Sequence, residues 1–358
     1  MKRCMYFFYS SLLCASAFAG VENFSLPMTP PEPDGQQKST IKYLMDASFT
    51  YWYGKQEGME IAETGIINSS GVVDFNSNNK VFSPSFSYQP GFKLGLGIQG
   101  NNDWNLQADY TWFRGSDTTS KSAHANDTTG SGSGIWVLDD WFLQTTSTGQ
   151  SITGSHVQSN WHLALDQLDI FASNPVYMNK NIAVAAMYGL RTTFIGQKMN
   201  LEVTEDLGST SSLPSQPIHS KNKSHCWGIG PEAGLDIQYQ LPMGFRFEGD
   251  FMASLLYTTF TKIKHTEDAI LTTSNEVSAS WSNYTTMRPV IDLGLGIGWK
   301  KDLSGNKYCI DFLASYDFSM YWGQNIMRKM LDEFWSGTSA AASDLFFQGL
   351  TLNAAFTF

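Results

Sequence analysis

Most of the chain alternates apolar and polar residues with a period of two, which is the pattern of β-strands that have two different faces. The clearest segment is 308–322, where Tyr308, Ile310 and Phe312 begin a series of apolar residues separated by Asp311, Ser315, Asp317 and Ser319. Residues 160–172 and 181–197 alternate with slips. The pattern predicts about ten strands, over residues 43–53, 92–99, 104–112, 160–172, 181–197, 227–239, 245–257, 291–299, 308–322 and 349–358.

The lengths and connections of these strands predict a membrane barrel. Globular strands average five or six residues, whereas a tilted strand that crosses a bilayer needs roughly 9–11. Short links near 99/104, 172/181, 240/245 and 300/307 alternate with long ones at 54–88, 114–159, 198–225, 261–287 and 323–344. We therefore expect an all-β, antiparallel up-and-down transmembrane β-barrel with short periplasmic turns and long extracellular loops. A barrel of twelve to sixteen strands remains an alternative, because residues 78–88 and 134–145 are long enough to contain another pair of strands.

The last ten residues, GLTLNAAFTF, alternate to the final residue of the sequence. A barrel in lipid has no free edge, so the last strand is expected to pair with the first. Phe356 and Phe358 resemble the terminal signal that the bacterial barrel-assembly machinery reads.

The first residues have the pattern of an export signal. Lys2 and Arg3 precede a mostly apolar stretch, and Ala17 and Ala19 give a small-x-small cleavage pattern. We expect a signal peptide at 1–19, a flexible periplasmic lead-in at 20–40, which is rich in proline, and a barrel at 41–358. The expected location is the Gram-negative outer membrane.

The composition narrows the expected partners. Charged residues make up 16% of the chain, aromatic residues 14%, and the net charge is −10, which argues against a nucleic-acid partner. We expect contacts with outer-membrane lipid and lipopolysaccharide and with the assembly machinery, and a homo-oligomer stays open. Cys226 and Cys309 follow the signal, and in an oxidising compartment they pair, stay free or cross-link chains.

The candidate chemical motifs do not predict an enzyme or a cofactor. GLGIQG (95–100) matches G-x-G-x-x-G, but it lies within an alternating strand, where no helix follows to bind a dinucleotide. His219 and His225 beside Cys226 lack a third well-spaced ligand, so we expect no metal. His162 is expected to be a lumen residue, and G-x-S-x-G is absent from the sequence.

The alternation also assigns charged residues to the inside of the barrel, because ionised groups facing lipid are costly. They either form a paired structural network or line a wet pore and bias ion flow. The predicted inward residues are Asp46, Lys93, Asp109, Asp166, Arg191, Glu232, Asp236, Arg246, Glu248, Asp250, Asp292, Asp311 and Asp317.

One segment departs from the β pattern. In QNIMRKMLDEFW (324–335) the apolar residues repeat at helical spacing, which predicts a short amphipathic helix in the last outer loop. Such a helix packs against other loops, covers the mouth of the barrel, or contacts lipid or a second copy.

Three segments resemble the Legionella and chlamydial-type major outer membrane proteins: SDLFFQGLTLNAAFTF (343–358), NWHLALDQLDIFA (160–172) and YGLRTTFIGQ (188–197). The resemblance implies a pore-forming outer-membrane barrel. It also implies cysteine cross-linking in the envelope, for which two cysteines are few. We expect a porin-like, cation-preferring diffusion channel. The alternative is a non-channel surface barrel that acts as an adhesin or envelope structural protein through its long outer loops.

Overall fold

The computed structural model describes residues 41–67, 73–74, 80–100, 105–122, 134–138, 141–144, 153–177, 179, 181–204, 217–268, 276–303, 307–336 and 342–358. The predicted signal peptide (1–19) and lead-in (20–40) lie outside these residues.

Sixteen strands and one α-helix form within the described residues. They are β1 (Lys42–Gln56), β2 (Ala62–Ile67), β3 (Val73–Asp74), β4 (Val81–Phe82), β5 (Tyr88–Gln99), β6 (Asn105–Ser122), β7 (Gly134–Val137), β8 (Thr153–Gly154), β9 (His156–Tyr177), β10 (Ile182–Thr204), β11 (Ile218–Gln240), β12 (Phe245–Glu267), β13 (Val277–Trp281), β14 (Tyr284–Leu303), β15 (Tyr308–Asn325), α1 (Ile326–Ser336) and β16 (Ser343–Thr357).

Ten of the described strands close into an antiparallel barrel. Around the barrel the order is β1-β5-β6-β9-β10-β11-β12-β14-β15-β16, and β16 pairs again with β1. The two ends of the barrel chain are joined by backbone hydrogen bonds: Phe358 N–H donates to Tyr43 O at 2.9 Å, and Tyr43 N–H donates to Phe358 O at 2.8 Å. The predicted barrel and the closure by the last strand are confirmed.

The segments suspected of hiding more barrel strands contribute to a different sheet. β4 and β7 lie within 78–88 and 134–145, and both pair with β2 in a small sheet that also includes β3 and β8. These strands are too short to cross a bilayer, which needs roughly 9–11 residues. The barrel formed by the described residues therefore has ten strands.

Large apolar side chains face outward from the middle of the barrel strands. Leu295 is 73% exposed, Leu96 63% and Leu190 56%, and many neighbouring outward positions are also apolar. In water such a continuous apolar surface would be unfavourable, but in a bilayer it contacts acyl chains. Separately, no helix among the described residues has the length and hydropathy needed to cross a membrane.

The strands β9, β10, β11 and β12 have 22, 23, 23 and 23 residues. Since a bilayer requires roughly 9–11 residues per tilted strand, about half of each strand extends past the lipid. The extension lies on the side of the long connections, which is the extracellular side in such barrels. On this side α1 packs inward through Ile326, Met327, Met330 and Leu331, all at most 2% exposed, so the predicted helix is confirmed.

Candidate functional site

The interior of the barrel has two layers of opposite character. The layer nearer the periplasmic turns is charged and surrounds a cavity of about 290 Å³. The layer nearer the extracellular connections is apolar and closely packed. We call the first the charged layer and the second the plug.

The charged layer is built around three cationic side chains. Arg191 is 3% exposed; its Nε lies 2.8 Å from Asp169 Oδ1 and 3.2 Å from Glu232 Oε2, and its Nη1 pairs with Asp292. Arg191, Glu232 and Asp292 lie at predicted inward positions on β10, β11 and β14, and Asp169 lies on β9. One buried guanidinium thus bridges four strands around the barrel.

The second cationic side chain, Arg246, lies next to the periplasmic turn that precedes β12, and the third, Lys93, lies on β5. Arg246 donates from Nε to Glu248 at 2.7 Å and from Nη1 to Asp311 at 2.9 Å. Lys93 Nζ lies 3.2 Å from Asp317 Oδ2. These ion pairs connect β5 with β15 and β12 with β15 across the lumen, so part of the charged wall is a structural network.

Several carboxylates remain outside this network. Among the described residues, Asp46, Asp109, Asp236 and Asp250 form no ion pair. Amide side chains serve three of them: Gln107 donates to Asp109 at 2.6 Å, Asn353 to Asp46 at 3.0 Å and Gln238 to Asp236 at 2.9 Å. These hydrogen bonds come from neutral amides, so they bring no positive charge to the carboxyl groups.

Two glycines make room for these carboxylates. A Cβ at Gly95 would clash with Asp46 Oδ2, and a Cβ at Gly294 would clash with Asp250 Oδ1. Any larger residue would therefore push an acidic side chain aside. Gly95 begins the G-x-G-x-x-G match, and its position inside β5 explains the motif as a packing feature of the lumen.

Twelve of the thirteen predicted lumen residues face the interior. They are Asp46, Lys93, Asp109, Arg191, Glu232, Asp236, Arg246, Glu248, Asp250, Asp292, Asp311 and Asp317. The exception is Asp166, whose prediction is wrong. It lies opposite Trp112 and Phe194 on the outer face, where Arg114 Nη2 lies 2.8 Å from its Oδ2 and Tyr110 donates to its Oδ1 at 2.6 Å.

Two further charged residues that were not predicted also face inward. Asp169, three residues after Asp166, occupies the lumen position on β9 and binds Arg191. Lys300, 8% exposed on β14, also belongs to the inner wall. With these two residues, the charged layer contains ten carboxylates and four cationic groups. Lys42 and Asp302, at the periplasmic rim, add one basic and one acidic residue.

The plug fills the extracellular half of the barrel with apolar side chains. Barrel residues such as Trp161, Phe260 and Val290 point inward there and are at most 1% exposed. Phe82 and Trp141, from the connections between strands, are 0% exposed and complete the packing. Over the described residues this cluster occupies the interior above the charged layer, so no wide aqueous channel runs between the described side chains.

Polar contacts attach the connecting segments to the barrel wall. Glu267 on β12 accepts hydrogen bonds from the Leu143 amide and, at 3.1 Å, from the Gln144 amide. Trp141 Nε1 donates to Glu60 O at 2.6 Å, and Asn325 donates to Glu57 O at 2.9 Å. Glu267 is 2% exposed and His265 Nε2 lies 2.5 Å from its Oε1, so this buried anchor is satisfied by His265 on the same strand together with the segment that it holds.

The histidine and cysteine candidates separate because strand neighbours point to opposite faces. Cys226 points inward, whereas His225 is on the outer face and His219 pairs with Asp268, Nδ1 to Oδ2 2.6 Å. His162 is also on the outer face, so its predicted lumen position is wrong. Outer-face placement keeps all three histidines away from Cys226.

Of the three alternatives that the sequence leaves open for Cys226 and Cys309, an intramolecular disulfide is not formed in this structure, in which both cysteines are free and buried. Cys226 lies in the plug, where Gln324 donates to its Sγ at 3.0 Å, and Cys309 lies at the periplasmic start of β15. A disulfide requires Cα atoms about 4.4–6.8 Å apart, and these residues occupy opposite halves of the barrel.

A family model described as Legionella pneumophila major outer membrane protein precursor matches residues 39–358. The comparison with curated protein sequences found no match.

Several solved outer-membrane barrels resemble the chain in fold at low sequence identity. The outer membrane protease OmpT of Escherichia coli is 10% identical, with 88% of this chain and 96% of that chain covered and a TM-score of 0.40. A major outer membrane protein of Thermus thermophilus is 12% identical, with 89% and 99% covered and a TM-score of 0.31. The attachment invasion locus protein Ail of Yersinia pestis is 10% identical, with 88% and 98% covered and a TM-score of 0.25.

Proposed function

We propose that this chain, which belongs to the family of the Legionella pneumophila major outer membrane protein, forms a narrow pore for small cations that the plug closes on its extracellular side. The protein is located in the Gram-negative outer membrane, as its family and its barrel fold indicate. Passage would require the plug segments to move away from the wall, while the charged layer would set the selectivity. The proposal involves no catalytic step and no cofactor.

The surplus of acidic groups in the lumen carries this proposal. A barrel that only needed a rigid interior would be more stable with paired charges or apolar side chains, because unpaired buried charge is costly. Asp46, Asp109, Asp236 and Asp250 instead keep acidic groups on the wall without a cationic partner among the described residues. Rings of acidic side chains favour cations in channels.

Conductance across a planar bilayer tests the proposal. The reversal potential of the refolded protein in a salt gradient should have the sign of cation preference. The bias should grow as salt falls, because charges are screened within about 8 Å at physiological ionic strength. Replacing Asp109 and Asp250 with Asn should reduce the preference without unfolding the barrel. Asp311 and Asp317 are poorer choices, since each balances a cationic side chain.

A matched control separates lumen charge from total charge. Glu202→Gln removes one negative charge from the outer face, where the Glu202 side chain is 40% exposed, and should leave the reversal potential unchanged. Anion preference of the wild type, or an equal effect of Glu202→Gln, would contradict the proposed selectivity.

The plug supports a second candidate function. A closely packed apolar interior above the charged layer also suits a barrel that never conducts and acts as an envelope structural protein or adhesin through its outer connections. Absence of conductance from both the wild type and a variant with a loosened plug would favour this second function.

A further inference from the structure

The outer face of the barrel changes abruptly from apolar to basic on one side. Outward positions on β6, β10, β11 and β12 are mainly apolar up to Trp112, Phe194, Trp227 and Tyr257. The outward positions that follow toward the extracellular end then include the cationic side chains. They are Arg114 on β6, Lys198 on β10, Lys223 on β11, and Lys262 and Lys264 on β12. Aromatic residues mark the interface of a bilayer, so these cations lie at the depth of lipid headgroups.

The strand register places like charges directly beside one another. Lys198 lies opposite Lys223, and Lys223 lies opposite Lys264, while His162 on β9 lies on the other side of Lys198. We call Lys198, Lys223 and Lys264 the basic row. Like charges directly opposite on neighbouring strands destabilise a sheet, so the arrangement needs an anion to compensate for it.

The described residues do not supply that anion. Asp166 lies nearby, but Arg114 Nη2 already binds its carboxylate at 2.8 Å. Glu202 and Asp268 lie one step further from the membrane, around His219 and Lys221. None of Lys198, Lys223, Lys262 and Lys264 forms an ion pair within the part of the chain that the structure describes. This local cluster of cationic side chains contrasts with the net charge of the whole chain, which is −10.

A groove lies beside the basic row. It has a volume of about 840 Å³, and its lining includes Phe194, Gly196, Lys198, His225 and Trp227. Gly196 leaves space in the floor of the groove, where an added Cβ would lie 3.0 Å from His225 Nδ1. The membrane end of the groove is thus aromatic and its extracellular end is cationic.

We propose that this face binds a phosphorylated glycolipid of the outer leaflet, the lipid A part of lipopolysaccharide. Phosphate oxygens accept charge-assisted hydrogen bonds from the basic row, and acyl chains lie against Phe194 and Trp227. The charge complementarity and the depth relative to the apolar belt select an anionic amphiphile of the outer leaflet over a soluble anion. This inference is independent of pore function, because it depends only on the outer face.

Lipid binding by refolded, detergent-solubilised protein tests the assignment, with native mass spectrometry as the readout. The test variant replaces Lys198, Lys223 and Lys264 with Gln. The matched control replaces Lys55, Lys301 and Lys307 with Gln, which are exposed lysines away from the basic row. Since each lysine near an anionic lipid surface contributes about 1 kcal/mol, the test variant should bind lipopolysaccharide about 100-fold more weakly. The control should bind like the wild type.

Three further ligands separate the sources of phosphate. Dephosphorylated lipopolysaccharide should bind the wild type as weakly as lipopolysaccharide binds the test variant. Phosphatidylglycerol and inorganic phosphate should both bind much more weakly than lipopolysaccharide. Equal binding of either one would overturn the assignment to a glycolipid, and unchanged binding by the test variant would overturn the site. Heat-modifiable electrophoretic mobility shows that each variant has folded.

Discussion

Arg191 gives the sharpest test of the charged layer, because one side chain holds three carboxylates, those of Asp169, Glu232 and Asp292. The Arg191 side chain is 4% exposed and that of Glu232 is 0% exposed. Arg191→Met keeps much of the volume but leaves these acids facing one another without their shared cation. Removing one partner of a buried ion pair destabilises a protein by about 3–5 kcal/mol, and we expect the free energy of unfolding to fall by that amount.

The assay is reversible denaturant unfolding of the barrel in lipid vesicles, followed by tryptophan fluorescence. Arg114→Met is the matched control. Its ion pair with Asp166 has a similar distance, 2.8 Å, but the two side chains are 38% and 30% exposed, and exposed pairs contribute about 0–1 kcal/mol. A loss below about 1 kcal/mol for Arg191→Met, or equal losses for the two variants, would refute the view that the charged layer is a buried network.

Replacing Asp169 with Asn in the Arg191→Met background should restore part of the lost stability. The double variant removes one of the carboxylates that the single variant leaves unpaired. Coupled residues give non-additive effects, so the double variant should be more stable than the sum of the two single changes predicts. Strict additivity would mean that Asp169 and Arg191 do not stabilise each other.

Two further predictions concern closure and the plug. Phe358→Ser should lower the yield of folded, heat-modifiable barrel much more than the amount of protein synthesised, because it removes the ring that packs on Tyr43 with centroids 5.8 Å apart; a normal yield would count against it. Glu267→Gln should weaken the anchoring of residues 141–144 by about 1.5–3 kcal/mol, because it removes a charged acceptor. Hydrogen exchange of the Leu143 and Gln144 amides should accelerate, while Glu202→Gln should leave it unchanged; unchanged exchange in Glu267→Gln would contradict the anchor.

Strand count, closure and most lumen positions were predictable because lipid imposes a simple rule on the sequence. In the membrane the outside is apolar, so the residues between apolar positions face inward. This rule places Asp46 on β1 and Asp311 on β15 correctly, since the outward neighbours Met45 and Phe312 are exposed. Ten strands could be read from the alternation alone because each strand carries several repeats of the pattern.

The same rule fails where the strands leave the membrane. On β9, Leu163 and Leu165 face inward and are buried in the plug, whereas Leu168 and Ile170 face outward toward lipid. The apolar residues change face between 165 and 168, so alternation extended from Leu163 assigns Asp166 to the lumen and conceals Asp169. His162 is misplaced for the same reason. A two-residue period does not reveal such a change unless the depth of the membrane is known.

Contacts between segments that are distant along the chain could also not be predicted from the sequence. The short strands β4 and β7 pair with β2 across long separations, and such pairings depend on the barrel wall that supports them. The separation of Cys226 from Cys309 follows from strand direction and position around the barrel, which spacing along the chain does not give. Glu267 has His265 as a partner two residues earlier on β12, but its contacts with the Leu143 and Gln144 amides lack a sequence signature because almost every residue carries a backbone amide.

The change of apolar face on β9 and its neighbours has one physical cause. A barrel section needs an apolar surface that is removed from water, and lipid provides that environment on the outside. Above the bilayer the outside is wet, so apolar burial must move to the inside, and Leu256 and Phe260 on β12 accordingly point into the plug at 1% and 0% exposure. The plug and the basic row therefore begin at about the same height, because both mark the level where lipid ends. A barrel that extends this far from the membrane closes its own interior as a consequence of folding there, and opening a pore through it requires exposing that apolar core.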